Sequence, residues 1–276
     1  MTRIARWAAG EQPDGARLLE WTVVAWCAWF AAQWAVQIAP AAVLTEPAGL
    51  AQYVDLALFT RGAWPMLWAG MAWAGLALGV FRKGRWSYAV AIVALHVLYV
   101  VRFSFGKLPH GSNLTATILV GLAVAAVAFQ EETERRRFVM AYAFVFVGLG
   151  YGLAAVSKLV GTGWTWPDGQ HLWLWIHEKG IDRLSRDGAW TPSLLQGLVL
   201  ESRLAGTLML SIGWLSEWLA FLLPVRRLRL PILLLLAALH LGVYPILGIS
   251  FLPNLCVLGA LVLSRVKWRA GVPRKI

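Results

Sequence analysis

Lys158 is the residue of this chain best placed to do chemistry, because it is an amine set near the end of an otherwise apolar run, 138–160. A lysine deep in a membrane helix costs roughly 3 kcal/mol on insertion scales, so it either snorkels to the headgroups or serves a function. Removal from water disfavours the ammonium form of an amine, and a neutral amine can take up a proton as a base. Tyr151 lies seven residues earlier and therefore shares its helical face. Gly148, Gly150 and Gly152 allow a second backbone or a ligand to come close. Snorkelling and a packed interior position both remain open from this spacing.

Glu217 sits in Ser211-Ile-Gly-Trp-Leu-Ser-Glu217-Trp-Leu, too deep in its apolar run to snorkel. It needs a partner or must be protonated. His240, on the next apolar run, is the expected partner; a structural tie between helices competes with a catalytic or proton-relay role. Arg102 lies within another run, and His110 follows it in the short loop Gly106-Lys-Leu-Pro-His110-Gly-Ser-Asn113. His96 reads as a satisfied core histidine. His171 and His177 are six apart and share a helical face poorly, and no His/Cys/Asp/Glu set has metal-ligand spacing.

These residues are carried by a chain of 276 amino acids, 59% hydrophobic and 14% charged, with mean hydropathy +0.63. A soluble domain of this length carries nearer a quarter charged residues. Apolar runs suited to membrane spans fall at 18–38, 63–81, 86–105, 113–129, 138–160, 204–223, 231–249 and 253–264. The expectation is an all-α, polytopic membrane bundle of about eight spans, since only helices satisfy their own backbone in lipid. It forms one integral membrane domain over 1–276. Ala39-Pro40-Ala41 has the form of a cleavage site, but the run before it is longer than a signal core, so the first span is expected to be retained. Cys27 and Cys256 lie in apolar segments and read as packing residues.

The net charge of +11 would suggest nucleic acid in a soluble protein, but here the basic residues collect in loops. With eight spans, 17 of the 25 Lys/Arg fall on the side of the two termini and 6 on the other. That split puts both termini in the cytoplasm of a plasma (inner) membrane and requires no nucleic-acid partner. The clusters Arg82–Arg85, Glu131–Arg137 and Arg226–Arg229 then read as topogenic charges. Lys158, Arg102 and His110 come out at the outer level, together with the one long connection, 161–203. Five of the 17 tryptophans are in that connection. It is expected to form an interfacial helix roofing a pocket, with Trp164, Trp166, Trp173 and Asn113 around the ligand.

Tyr151-Gly-Leu-Ala-Ala-Val-Ser-Lys158, the turn Trp166-Pro-Asp-Gly169, Glu217 with the basic loop after it, Leu239-His240-Leu-Gly and the loop at His110 occur in one order. In that order they resemble the membrane domain of the vitamin K-dependent gamma-carboxylase family, the HTTM (horizontally transferred transmembrane) group. The resemblance spans about 18–264. It implies that Lys158 is the base that deprotonates a reduced naphthoquinone. Oxygen then adds to give a strongly basic alkoxide, which removes a proton from a substrate glutamate, and CO2 adds to the carbanion. It further implies His110 as an acid or orienting group at the same catalytic site, with Glu217 and His240 as a supporting network; Arg102 at the outer level and Tyr151 on the face of Lys158 join that network by position. The cofactors would be reduced vitamin K or menaquinol, with O2 and CO2 as co-substrates and no metal. Animal carboxylases carry a large soluble portion after this domain, whereas the sequence ends at Ile276. The expected partners are the lipid bilayer, a lipophilic quinone and a peptide or small carboxylate substrate, with room for a soluble partner chain.

Three functions follow. The first is a membrane carboxylase-like or quinol-dependent oxidoreductase with epoxidase or lyase chemistry. The second is a non-enzymatic helper that binds quinone or peptide in a secretion or maturation system. The third is a transporter with Glu217 and His240 as a proton relay, which ranks last because paired half-helices and repeat symmetry are missing.

Overall fold

The computed structural model describes residues 11, 13–38, 52–104 and 110–264. Ala39-Pro40-Ala41 and the C-terminal basic tail from Arg265 lie outside the described residues, as does the side chain of His110. Among the described residues the protein is all-α, with ten α-helices, short 3-10 turns and no strand. In chain order they are α1 (Ala16–Ile38), α2 (Trp64–Val80), α3 (Ser87–Phe103), α4 (Asn113–Ala128), α5 (Glu132–Thr162), α6 (Gly169–Asp187), α7 (Leu194–Glu201), α8 (Arg203–Leu219), α9 (Arg229–Leu247) and α10 (Leu252–Leu263).

Among the described residues three helical stretches are long and apolar enough to cross a membrane: Glu132–Thr165, Arg203–Leu222 and Arg229–Leu247. Helices α2, α3, α4 and α10 are apolar but shorter. Pro245 lies in the last turn of α9 and interrupts it little. Gly248, at φ 69°, then closes the helix in the left-handed conformation that glycine adopts without steric cost.

The chain divides into two compact units, residues 1–143 with 259–276, and residues 144–258. Helix α5 begins in the first and continues into the second. In the first unit α1 to α4 pack on one another. The close pair α2–α3 depends on small residues: a Cβ on Gly75 would fall 2.7 Å from the Ser87 carbonyl oxygen, and one on Gly79 would run into the Tyr88 ring.

The polar centre of this unit is Arg82. Its guanidinium donates to both carboxylate oxygens of Glu20, at 2.5 and 2.9 Å, and to both of Glu132, at 3.1 and 3.0 Å. Tyr88 donates its hydroxyl to the same Glu20. Glu20 is 3% exposed. Arg82 therefore does more than supply the loop charge expected of it: it neutralises a buried carboxylate that the sequence reading passed over. The planar fork of arginine is what allows two carboxylates to be gripped together. Arg229 likewise leaves its basic loop. It is 3% exposed, donates to the carbonyls of Leu223 and Pro224, and lies 3.9 Å over the ring of Phe144.

Replacing Arg82 with alanine strands Glu20 without a counter-charge. The expected loss is about 3–5 kcal/mol of stability, read as a lowered melting temperature in detergent. Glu20→Gln in the same background should recover part of it.

Candidate active site

The second unit builds its site on the antiparallel pair α5 and α8. Trp214 of α8 donates its indole N–H to the Ala155 carbonyl of α5 at 3.0 Å. Closer to the start of α5, a Cβ on Gly148 would fall 2.6 Å from the Ala220 carbonyl oxygen, and one on Gly152 would meet the Phe221 ring. These two glycines admit the 3-10 turn Ala220–Leu222 that ends α8. Gly150 faces open space and has no such role.

In this register Lys158 stands opposite the middle of α8, and Glu217 lies about 9 Å further along it, six residues of helical rise. The gap closes because side chains lean toward the N-terminus of their own helix, and in an antiparallel pair the two lean toward each other. The Lys158 amine contacts both carboxylate oxygens of Glu217. The side chains are 29% and 10% exposed. The amine also lies 5.4 Å from the centroid of the Trp166 ring. Lys158 thus points back along its helix to a carboxylate instead of extending past the helix end.

This corrects the expected pairing of Glu217 with His240. The His240 Nε2 is bonded instead to the hydroxyl of Tyr151, and its ring packs 4.7 Å from that of Phe251. Its Nδ1 is buried and among the described residues has no hydrogen-bond partner. Tyr151 and Lys158, seven residues apart on one face of α5, therefore each meet a polar residue from a different helix.

The Lys158–Glu217 pair and His240 border one cavity of about 480 Å³. Lys158, Glu217 and His240 line it among apolar residues of α8 and α9 and the rings of Trp166, Trp175 and Phe251. Such a volume, greasy with a few convergent polar groups, is the usual form of a small-molecule site.

Helix α6 closes one side of the cavity, and two of the three tryptophans assigned to the pocket are displaced. Leu172 and Ile176 are buried with Val199 of α7, which brings Trp175 to the cavity. Trp173, two residues away and so on the opposite side of the helix, packs against His177 with ring centroids 3.9 Å apart. Trp164 is 78% exposed and packs edge-on to Trp214. Only Trp166 of the three lines the cavity. Trp175 and Phe251, which do, were missed.

The position of α6 is set by local chemistry. Asp168 caps it, accepting from the Gln170 N–H at 3.0 Å, and accepts from the Arg203 guanidinium at the start of α8. Gly169 allows the two helix starts to touch, since any Cβ there would collide with the Arg203 carbonyl. At the far side, Ser193 and Gln196 of α7 donate to the Pro245 and Ile246 carbonyls, which the end of α9 leaves without helical partners.

Arg102, His110 and Asn113 belong to the first unit. The Arg102 guanidinium carbon lies 5.8 Å from the Trp34 ring centroid, His110 opens the 3-10 turn His110–Ser112, and Asn113 lines a smaller cavity of that unit. Compared with models of known protein families, with curated proteins and with solved structures, the chain matches none.

Two measurements test this geometry. Lys158→Met leaves Glu217 buried without its counter-charge and should cost about 3 kcal/mol in thermal unfolding. The double variant with Glu217→Gln should regain most of that loss; a lysine that merely reached the headgroups would show neither effect. The second concerns acid. Hydrogen bonds from Arg203 and from the Gln170 N–H pull the Asp168 carboxyl from its ordinary 3.8 down to about 2. Because the folded value is the lower one, its stabilisation is present above about pH 4 and is lost as pH falls toward 2. Asp168→Asn should flatten the melting temperature across that window.

Proposed function

We propose that this protein is an integral membrane enzyme resembling the vitamin K-dependent gamma-carboxylases. In this reading about eight helices span a plasma membrane with both termini cytoplasmic, and α6 lies in the outer interface. What carries the reading is the Lys158–Glu217 pair on the wall of an apolar cavity of about 480 Å³.

A bicyclic ring of naphthoquinol size suits that volume and lining, with Trp166, Trp175 and Phe251 as flat faces and Lys158 and His240 as the groups that would meet its oxygens. A reduced quinone, when bound, supplies a ring hydroxyl and, with O2, the oxidation behind carboxylation or epoxidation. The part played by the chain is to take up the proton. As an ion pair, Lys158 and Glu217 hold no vacancy on the amine itself. A proton delivered at the Lys158 Nζ is balanced by one passing from Nζ to a Glu217 carboxylate oxygen, so the base is the pair. That makes Glu217 as necessary as Lys158, where the sequence reading gave it a supporting place. The Tyr151 hydroxyl orients His240, leaving Nδ1 for the ligand. Apolar walls keep water from competing for these groups.

The test is oxygen consumption by the protein in nanodiscs supplied with menaquinol or vitamin K hydroquinone. Lys158→Ala and Glu217→Gln should each lower the rate by roughly 10²–10⁴-fold, the span for loss of a general base. A Glu217→Gln variant with wild-type turnover would refute the shared base.

The second reading, a non-enzymatic helper that holds a quinone or peptide, is favoured by the unpartnered Nδ1 of His240, which suits ligand binding without chemistry. Wild type and Lys158→Ala that are equally inert, yet bind quinone equally, would establish it.

A further inference from the structure

Helix α9 presents one face to the cavity beside Lys158, and that face has a gap. Leu235, Leu239, Gly242 and Ile246 follow one another at intervals of three and four residues, so they share a stripe, and all of them line the cavity. Leu235, Leu239 and Ile246 each offer a large apolar side chain, and Gly242 offers none. A Cβ at Gly242 would point along the same stripe into the cavity, and among the described residues it meets no heavy atom within 4 Å.

Packing within the protein does not require this gap. On α8 a Cβ at Gly213, which also lines the cavity, would come within 3.1 Å of the Leu239 side chain, so that glycine makes room for a neighbour. Gly148, Gly152 and Gly169 likewise admit a backbone or a ring. Over Gly242 the space is claimed by no described residue, and the ring of Pro245, three positions on, stays clear of it. Glycine is the poorest helix former after proline, so it weakens α9 where an alanine would fit. The space itself is generous. A single benzene fits a cavity of about 150 Å³, and this one, at about 480 Å³, is larger than two fused rings need.

We infer that Gly242 determines the size of the ligand that this cavity admits: the ligand lays an apolar group directly on the Gly242 backbone, where a side chain would displace it. The inference concerns space alone. It holds whether or not Lys158 and Glu217 do chemistry, and so does not rest on the enzymatic reading.

It is tested with the full chain in nanodiscs, carrying 5-fluorotryptophan at position 175 alone. Trp175 is part of this cavity's wall and not of the smaller cavity's, so its 19F resonance reports occupancy here. The probes are naphthalene and 2-butylnaphthalene, which have no oxygen for Lys158 or His240 to meet. Wild type should bind both. Gly242→Leu should weaken the butyl compound by about tenfold or more, the effect of overfilling a packed site, and naphthalene by less than about twofold. Gly242→Ala should weaken the butyl compound to a smaller degree while holding or raising the melting temperature, because alanine is the better helix former. A glycine needed for packing would instead lose stability on the same substitution. The inference is overturned by wild type that binds neither probe, by Gly242→Leu that binds the butyl compound as wild type does or loses both probes alike, or by a melting temperature that falls in Gly242→Ala.

Discussion

A charge placed in a greasy interior must find its opposite, and this constraint organises both units of the protein. In the second, the Lys158 amine is met by the Glu217 carboxylate. In the first, Glu20 is met by Arg82, which also holds Glu132. The desolvation penalty of either partner alone is several kcal/mol, so each pair dictates which helices approach and in what register. Small residues then permit the approach: Gly148 and Gly152 earlier in α5, and Gly75 and Gly79 in α2.

The two pairs differ in what surrounds them. Arg82 is saturated, with its nitrogens bound to two carboxylates and only a cavity of about 10 Å³ beside it, which leaves no room for a ligand. Lys158 and Glu217 border about 480 Å³ of apolar space and a histidine with a vacant nitrogen. Satisfied networks without space rigidify a structure; paired charges facing space can exchange protons with whatever enters. That contrast is why the functional reading attaches to Lys158 and not to Arg82.

The Asp168–Arg203 contact performs a third task. It fastens the start of α6 to the start of α8, so that a helix rich in aromatic residues covers the cavity from one side. The opposite end of α6 is stopped by Gly188 at φ 73°, and Trp190 folds back onto Gly180. The result is a cover whose inner stripe, Leu172 and Ile176, is buried while its charged residues Glu178, Asp182 and Arg186 remain outside.

Helix positions were largely legible from sequence, because a backbone in lipid has few alternatives and long apolar runs announce themselves. The helices fall close to the runs at 18–38, 63–81, 86–105, 113–129, 138–160, 204–223, 231–249 and 253–264. The singular residues were legible too, since Lys158, Glu217 and His240 are out of place in such text. Their partners were not. Depth reckoned along the chain set Glu217 somewhat deeper than His240 and apart from Lys158, whereas the lean of side chains in an antiparallel pair joins it to Lys158 and gives His240 to Tyr151. Which tryptophan of α6 faces inward depended on a rotation of about 100° per residue about the helix axis, fixed by the burial of Leu172 and Ile176 against α7. Composition decides that a charge must be compensated; only packing decides by which residue, because that depends on register and rotation, which a linear pattern does not carry.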